Sequence, residues 1–165
     1  MRLTPTLALL AVLSLAMPMA VRGEPHQAMQ PIAFLIGHWQ TTSTFNDGEQ
    51  RKGDLRYEWV LGGEYMKVTF QGQPPADRPY WEAHAMTRYD SETNGYASTA
   101  YFNGGPGVEY RGEVLSNGIF RLSTLDGSAG IDYHPREQAV YQENWRIADD
   151  GARQVTLRTH YEALD

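Results

Sequence analysis

Glu143 is the charged side chain with the most chemical promise. In the run Ala139 to Ile147 it alternates in step with Tyr141, Trp145 and Ile147, so a strand there turns one carboxylate and two large aromatic rings to the same side. If that side is an interior, the apolar surround raises the carboxyl pKa unless a phenol such as Tyr57, Tyr110 or Tyr161 hydrogen-bonds to it. Such a group can anchor a ligand or carry a proton. The opposite register, with Val140, Gln142, Asn144 and Arg146 inward, leaves Glu143 in water, and the run alone admits both. His84, between Ala83 and Ala85, is the second candidate. It shares parity with Glu82 and Arg88, which points it outward, although Tyr80 and Met86 on that face keep the inward direction open, where an imidazole would serve as acid or base.

Other chemistries find little support. The histidines at 26, 38, 84, 134 and 160 show no spacing that pairs them as zinc ligands, and there is no cysteine, so no metal site is expected. No serine lies in a Gly-x-Ser-x-Gly turn. Gly104-Gly105-Pro106-Gly107 has no helix behind it to bind phosphate. What remains is aromatic: ten Tyr, five Phe and four Trp. Turned inward, Trp39, Tyr57, Trp59, Met66, Phe70, Tyr96, Tyr110, Tyr141, Trp145 and Tyr161 would line a pocket suited to a flat or greasy ligand.

The elements that must position them read as one short helix and ten strands. Pro31 suits a first helical position and Gly37 the position past a helix end, so a turn or two of helix is expected over Gln30 to Ile36, with Met29, Ile32, Ala33 and Ile36 as its apolar stripe. Strands are expected near 38–45, 53–60, 64–71, 80–89, 96–102, 107–114, 119–125, 129–134, 138–147 and 153–162. Turn chemistry separates them at Gly62-Gly63, Asp90 to Gly95, Asn117-Gly118, Asp126-Gly127, Pro135-Arg136 and Asp149-Asp150-Gly151. Links so short make neighbours antiparallel. Parity gives one apolar face: Leu55, Tyr57 and Trp59; Met66, Val68 and Phe70; Val108, Tyr110 and Val114; Phe120 and Leu122; Val155, Leu157 and Tyr161. A meander with one apolar face removes its exposed edges by closing, and an even strand count lets the last strand pair antiparallel with the first. The expectation is therefore an all-β, up-and-down antiparallel barrel of about ten strands. The helix plugs one end, and Gln73-Pro74-Pro75 and Gly104-Gly105-Pro106 rim the other.

The first 23 residues look like a secretory leader: an early Arg2, an apolar core from Leu7 to Ala16, then small residues, with cleavage expected after Gly23. That core is short of the roughly 20 residues a spanning helix needs, so no membrane anchor is expected. Residues 24–165 then form a single domain destined for the periplasm or the exterior, stabilised by packing because no disulfide is available. The formal net charge of −6 becomes more negative once Arg2 and Arg22 leave with the leader, which argues against nucleic acid and anionic lipid as partners.

Gly37-His38-Trp39 at the entry to the first strand resembles the Gly-x-Trp signature of lipocalin-like (calycin) barrels. With Trp59, Leu61-Gly62-Gly63-Glu64 and Arg88 through Tyr96, the order and spacing resemble the bacterial family known as domain of unknown function 1579 over most of the mature chain, more closely from 35 to 112 than beyond. That resemblance implies a barrel with an internal pocket and brings no catalytic residues. A more distant likeness, to haem-binding barrels of the nitrobindin type, implies a ligating histidine near the C-terminus. His160 would fill that role, yet its parity with Arg158 and Glu162 turns it to solvent, so no cofactor is expected. The leading expectation is an exported binding module for a small apolar or aromatic molecule. A barrel-type lyase or isomerase using Glu143 or His84 is the enzymatic alternative, and an envelope inhibitor that binds another protein is the third.

Overall fold

The structure, a computed structural model, describes residues 25–74, 81–103 and 105–164. The expected leader at 1–23 lies outside them, as do Pro75 and Gly104 of the expected rim. Ten strands follow a short 3-10 helix at Gln27–Leu35: β1 (Gly37–Phe45), β2 (Gln50–Val60), β3 (Tyr65–Gly72), β4 (Trp81–Asp90), β5 (Gly95–Phe102), β6 (Val108–Val114), β7 (Phe120–Thr124), β8 (Ala129–Pro135), β9 (Ala139–Ile147) and β10 (Arg153–Ala163). Every strand pairs antiparallel with its sequence neighbour, and β10 returns to β1, from Trp39 opposite Ala163 to Phe45 opposite Leu157, so the barrel is closed. The turns deliver what their residues promise. Gly118 (φ +81°) and Gly127 (φ +70°) take left-handed conformations that a side chain would strain.

The helix does plug one end, with a different period from the one expected. Met29, Ile32 and Leu35 are fully buried, three residues apart. A 3-10 helix has three residues per turn and eclipses its i and i+3 side chains, so its apolar stripe runs straight down one edge. The expected partners Ala33 and Ile36 follow the 3.6-residue period of an α-helix and are only half-buried. Two side chains of the barrel wall tie the plug in place: the Trp39 indole donates to the Leu35 carbonyl and the Tyr96 hydroxyl to the Ala28 carbonyl, each at 2.9 Å. Trp39, Tyr96 and the fully buried Phe120 pack there.

Two register expectations are corrected. In β9 the interior face is Val140, Gln142 and Asn144, so Tyr141, Glu143 and Trp145 point out of the barrel. In β10 a bulge interrupts the pairing between Val155 and Leu157. Val155 lies opposite outward Trp145, whereas Leu157 lies opposite inward Asn144, so these two do not share a face.

Candidate functional site

The barrel encloses a cavity of about 170 Å³ between the plug and the open end. Its two long walls differ in chemistry. On β3 to β5 the lining is Val68, Phe70, Ala83, Ala85 and Ala100, with the Thr87 and Ser98 pair nearer the plug, and Ala85 faces Ala100 directly across the strands. Small side chains at that pair leave the space. Across the barrel, β1, β9 and β10 present Thr41, Ser43, Gln142, Asn144, Thr159 and Tyr161. Leu35, Met66 and Phe120 form the floor.

The polar groups around the cavity are mostly satisfied by one another. Ser43 and Thr159 hydroxyls lie 2.9 Å apart, Thr87 donates to Ser98 at 2.9 Å, the Tyr57 and Tyr161 hydroxyls are 3.4 Å apart, and Tyr161 donates to the Gln142 amide oxygen. Thr41 is the exception: it is 1% exposed and its Oγ1 has no hydrogen-bond partner among the described residues. Burial first, and their nearness to one another second, push the Tyr57, Tyr133 and Tyr161 hydroxyls well above the ordinary phenol value. They stay neutral. Among the described lining residues there is no Asp, Glu, Lys or Arg, and the single histidine, His84, is exposed and pairs with outward Thr69 and Tyr101. An ionised ligand would find no counter-charge here.

Aromatic rings narrow the open end. Phe70 and Trp81 meet edge to face at 4.9 Å, and Phe45 lies 6.0 Å from Trp81. The Arg51 guanidinium sits 4.7 Å over Phe45 and 5.7 Å from Trp81, held by paired hydrogen bonds to Glu49 of 2.8 and 2.7 Å. Gly53 and Gly72 make this packing feasible, because a Cβ at either would come within 2.5 to 2.7 Å of the Phe70 ring.

Of the ten side chains expected around a ligand, Tyr57, Met66, Phe70, Tyr110 and Tyr161 line the cavity. Trp39 and Tyr96 belong to the plugged end, and Trp59 packs half-buried against the core. Tyr141 and Trp145 are outside. So is Glu143, which is no buried acid: Tyr141 donates to it at 3.1 Å, and Arg158 and His134 approach it at 3.5 and 3.9 Å. His160 is exposed on the outer surface with its ring 4.9 Å from Tyr141. An outward imidazole and so small a cavity do not fit a haem. Among the described residues no three potential metal ligands converge.

The sequence reading passed over Trp81, Tyr133 and Thr41, and placed Gln142 inward only in the alternative register of the ninth strand. Tyr133 was discoverable, since it alternates in step with Ile131 and both line the cavity. Trp81 likewise alternates with Ala83 and Ala85. Thr41 carried no signal, because a polar residue on an inner face runs against the pattern used to find that face.

Comparison with known proteins supports the architecture alone. No family model matches the chain, and no curated protein matches its sequence. A crystal structure of Rv2717c from M. tuberculosis is similar, with a TM-score of 0.63 at 14% identity, covering 86% of this chain and 100% of that one. A redesigned β-barrel, b11L5F_LGL, is more distant, with a TM-score of 0.45 at 15% identity, covering 87% and 99% of the two chains.

Proposed function

We propose that the chain is an exported binding barrel that holds a compact apolar or aromatic molecule in its interior and does no chemistry on it. The observation that carries this reading is the cavity of about 170 Å³ with no Asp, Glu, Lys or Arg among the described residues that line it. Drug-sized ligands occupy sites of about 300 to 1,000 Å³, whereas an engineered apolar cavity of about 150 Å³ takes benzene. The occupant is therefore of single-ring size. Export rests on the leader-like residues 1–23. Kinship with lipocalin-like barrels, and with the domain of unknown function 1579 family, is part of the same proposal. It is supported by Gly37-His38-Trp39 and by the Trp39 indole bonded to Leu35 of the plug.

With Glu143 outside the barrel and His84, at the edge of the lining, exposed and paired with outward Thr69 and Tyr101, the described residues give a lyase or isomerase little support. The protein-binding alternative draws on Tyr101, Phe102, Leu125 and Ile147, which are 56, 43, 53 and 41% exposed at strand ends around the open end. Calorimetry and native mass spectrometry separate the readings. Saturable uptake of toluene or phenol, without uptake of long-chain fatty acids, is expected of a single-ring binder. Ala85→Leu should fill the recess and abolish uptake while changing stability by less than about 1.5 kcal/mol, because the added carbons enter existing space. If the parent takes up none of these molecules, the protein-binding alternative prevails.

A further inference from the structure

Thr41 is where the cavity departs from a self-satisfied interior. Its neighbours on the polar wall already have partners: Ser43 with Thr159, Tyr57 with Tyr161, and Tyr161 with Gln142. Thr41 lies in β1 between Tyr161 of β10 and Gly53 of β2, lines the cavity, and is 1% exposed with its hydroxyl unpartnered. A buried polar atom left unpaired costs about 1–3 kcal/mol, so a group that arrives to pair with it recovers that cost on binding. The opposite wall offers flat apolar surface at Ala83, Ala85 and Ala100, and its two hydroxyls, Thr87 and Ser98, are already bonded to each other. The two walls therefore ask for different faces of one molecule.

We infer that the ligand is an uncharged single-ring compound bearing one hydroxyl or carbonyl oxygen, which docks that oxygen on the Thr41 hydroxyl and lays its ring against the Ala83, Ala85 and Ala100 wall. This rests on the binding function proposed above and adds the class and orientation of the occupant. A threonine hydroxyl both donates and accepts, so a carbonyl oxygen receives its hydrogen and a phenol donates to its oxygen. An ionised analogue is disfavoured, because the described lining residues include no Lys or Arg to pair with it.

Phenol, toluene and benzoate are nearly matched in shape and differ in the property at issue. Titrated into the full mature chain by calorimetry, phenol should bind on the order of tenfold more tightly than toluene, and benzoate should be weakest. In Thr41→Val the phenol preference over toluene should collapse toward unity. In Thr41→Ser, which keeps the hydroxyl, it should persist, and this second variant guards against a misfolded valine protein. Methyl and ring resonances of the Ala100 strand should shift on phenol addition. Toluene binding as well as phenol, or a preference that survives Thr41→Val, overturns the inference while leaving the binding function standing. Failure of all three compounds to bind overturns both.

Discussion

Replacing Asp132 by asparagine should lower the stability of the barrel by about 3 kcal/mol, the largest loss expected from any change of one functional group. Asp132 is 2% exposed although it lies on the outer face. Its carboxylate receives two hydrogen bonds from Arg121 at 2.8 and 2.7 Å, one from Arg153 at 2.8 Å and one from the Trp145 indole at 3.0 Å. The two guanidinium groups also cover the Trp145 ring, at 5.9 and 4.6 Å from its centre. An asparagine keeps the shape, but it puts an N–H₂ where an acceptor is needed and leaves two cations without their anion. Burial works to raise the Asp132 pKa, and the hydrogen bonds from Arg121, Arg153 and Trp145 outweigh it, holding the group at about 2 rather than 3.8. A carboxyl depressed on folding contributes stability that is fully present above its unfolded pKa and is lost as pH falls through the folded value. That contribution is on the order of 2 kcal/mol. Urea unfolding of parent and Asp132→Asn should therefore differ most near neutrality, with the gap shrinking from about pH 4 toward pH 2. Two curves that stay parallel across that range would show the carboxylate to be a bystander.

Gly130→Ala should be comparably costly, at about 2–4 kcal/mol or a fall of ~10 °C in Tm. A Cβ at Gly130 would lie 2.3 Å from the Leu122 carbonyl oxygen and 2.4 Å from the Trp145 ring. The ring can swing away only by abandoning Asp132, and the carbonyl belongs to the β7 backbone, which is paired to β8. The same substitution at Gly105, where nothing lies within 4 Å of the new carbon, should change stability by less than about 0.5 kcal/mol. Differential scanning calorimetry of the pair separates the clash from the general effect of adding a methyl. Equal melting temperatures would refute it.

That outer cluster also explains where the sequence misleads. Strand positions were legible because each is bracketed by residues with a backbone preference, such as Asn117-Gly118 or Asp126-Gly127, and the ten expected strands fall within a few residues of those found. Faces were legible in β2, β3 and β7, where apolar residues alternate with charges. In β9 the rule inverts. Trp145 is 7% exposed outside the barrel because Gly130 opens a slot for its ring and Asp132 takes its N–H, while Gln142 and Asn144 occupy the inside. Aromatic character marked burial correctly and the side of the wall wrongly. Local alternation carries no information about a second, external packing site. In β10 the bulge at Thr156 shifts parity halfway along, and Thr156 offers no turn residue to announce it. Of the ten side chains expected around the cavity, β9 accounts for the loss of Tyr141 and Trp145, the plugged end for Trp39 and Tyr96, and Trp59 packs against the core instead.

The ring is sealed by partners from opposite ends of the described chain, with Gln40 beside Glu162 and Thr42 beside His160. Every other seam joins sequence neighbours and can zip as the polypeptide emerges, but this one waits until β10 has followed the eight strands between. Until then both β1 and its future neighbour offer unsatisfied amide edges to any strand nearby. Cutting into the end of β10 is thus an assault on the opening strand, and the window before closure is when the molecule is most exposed to tangling with its copies.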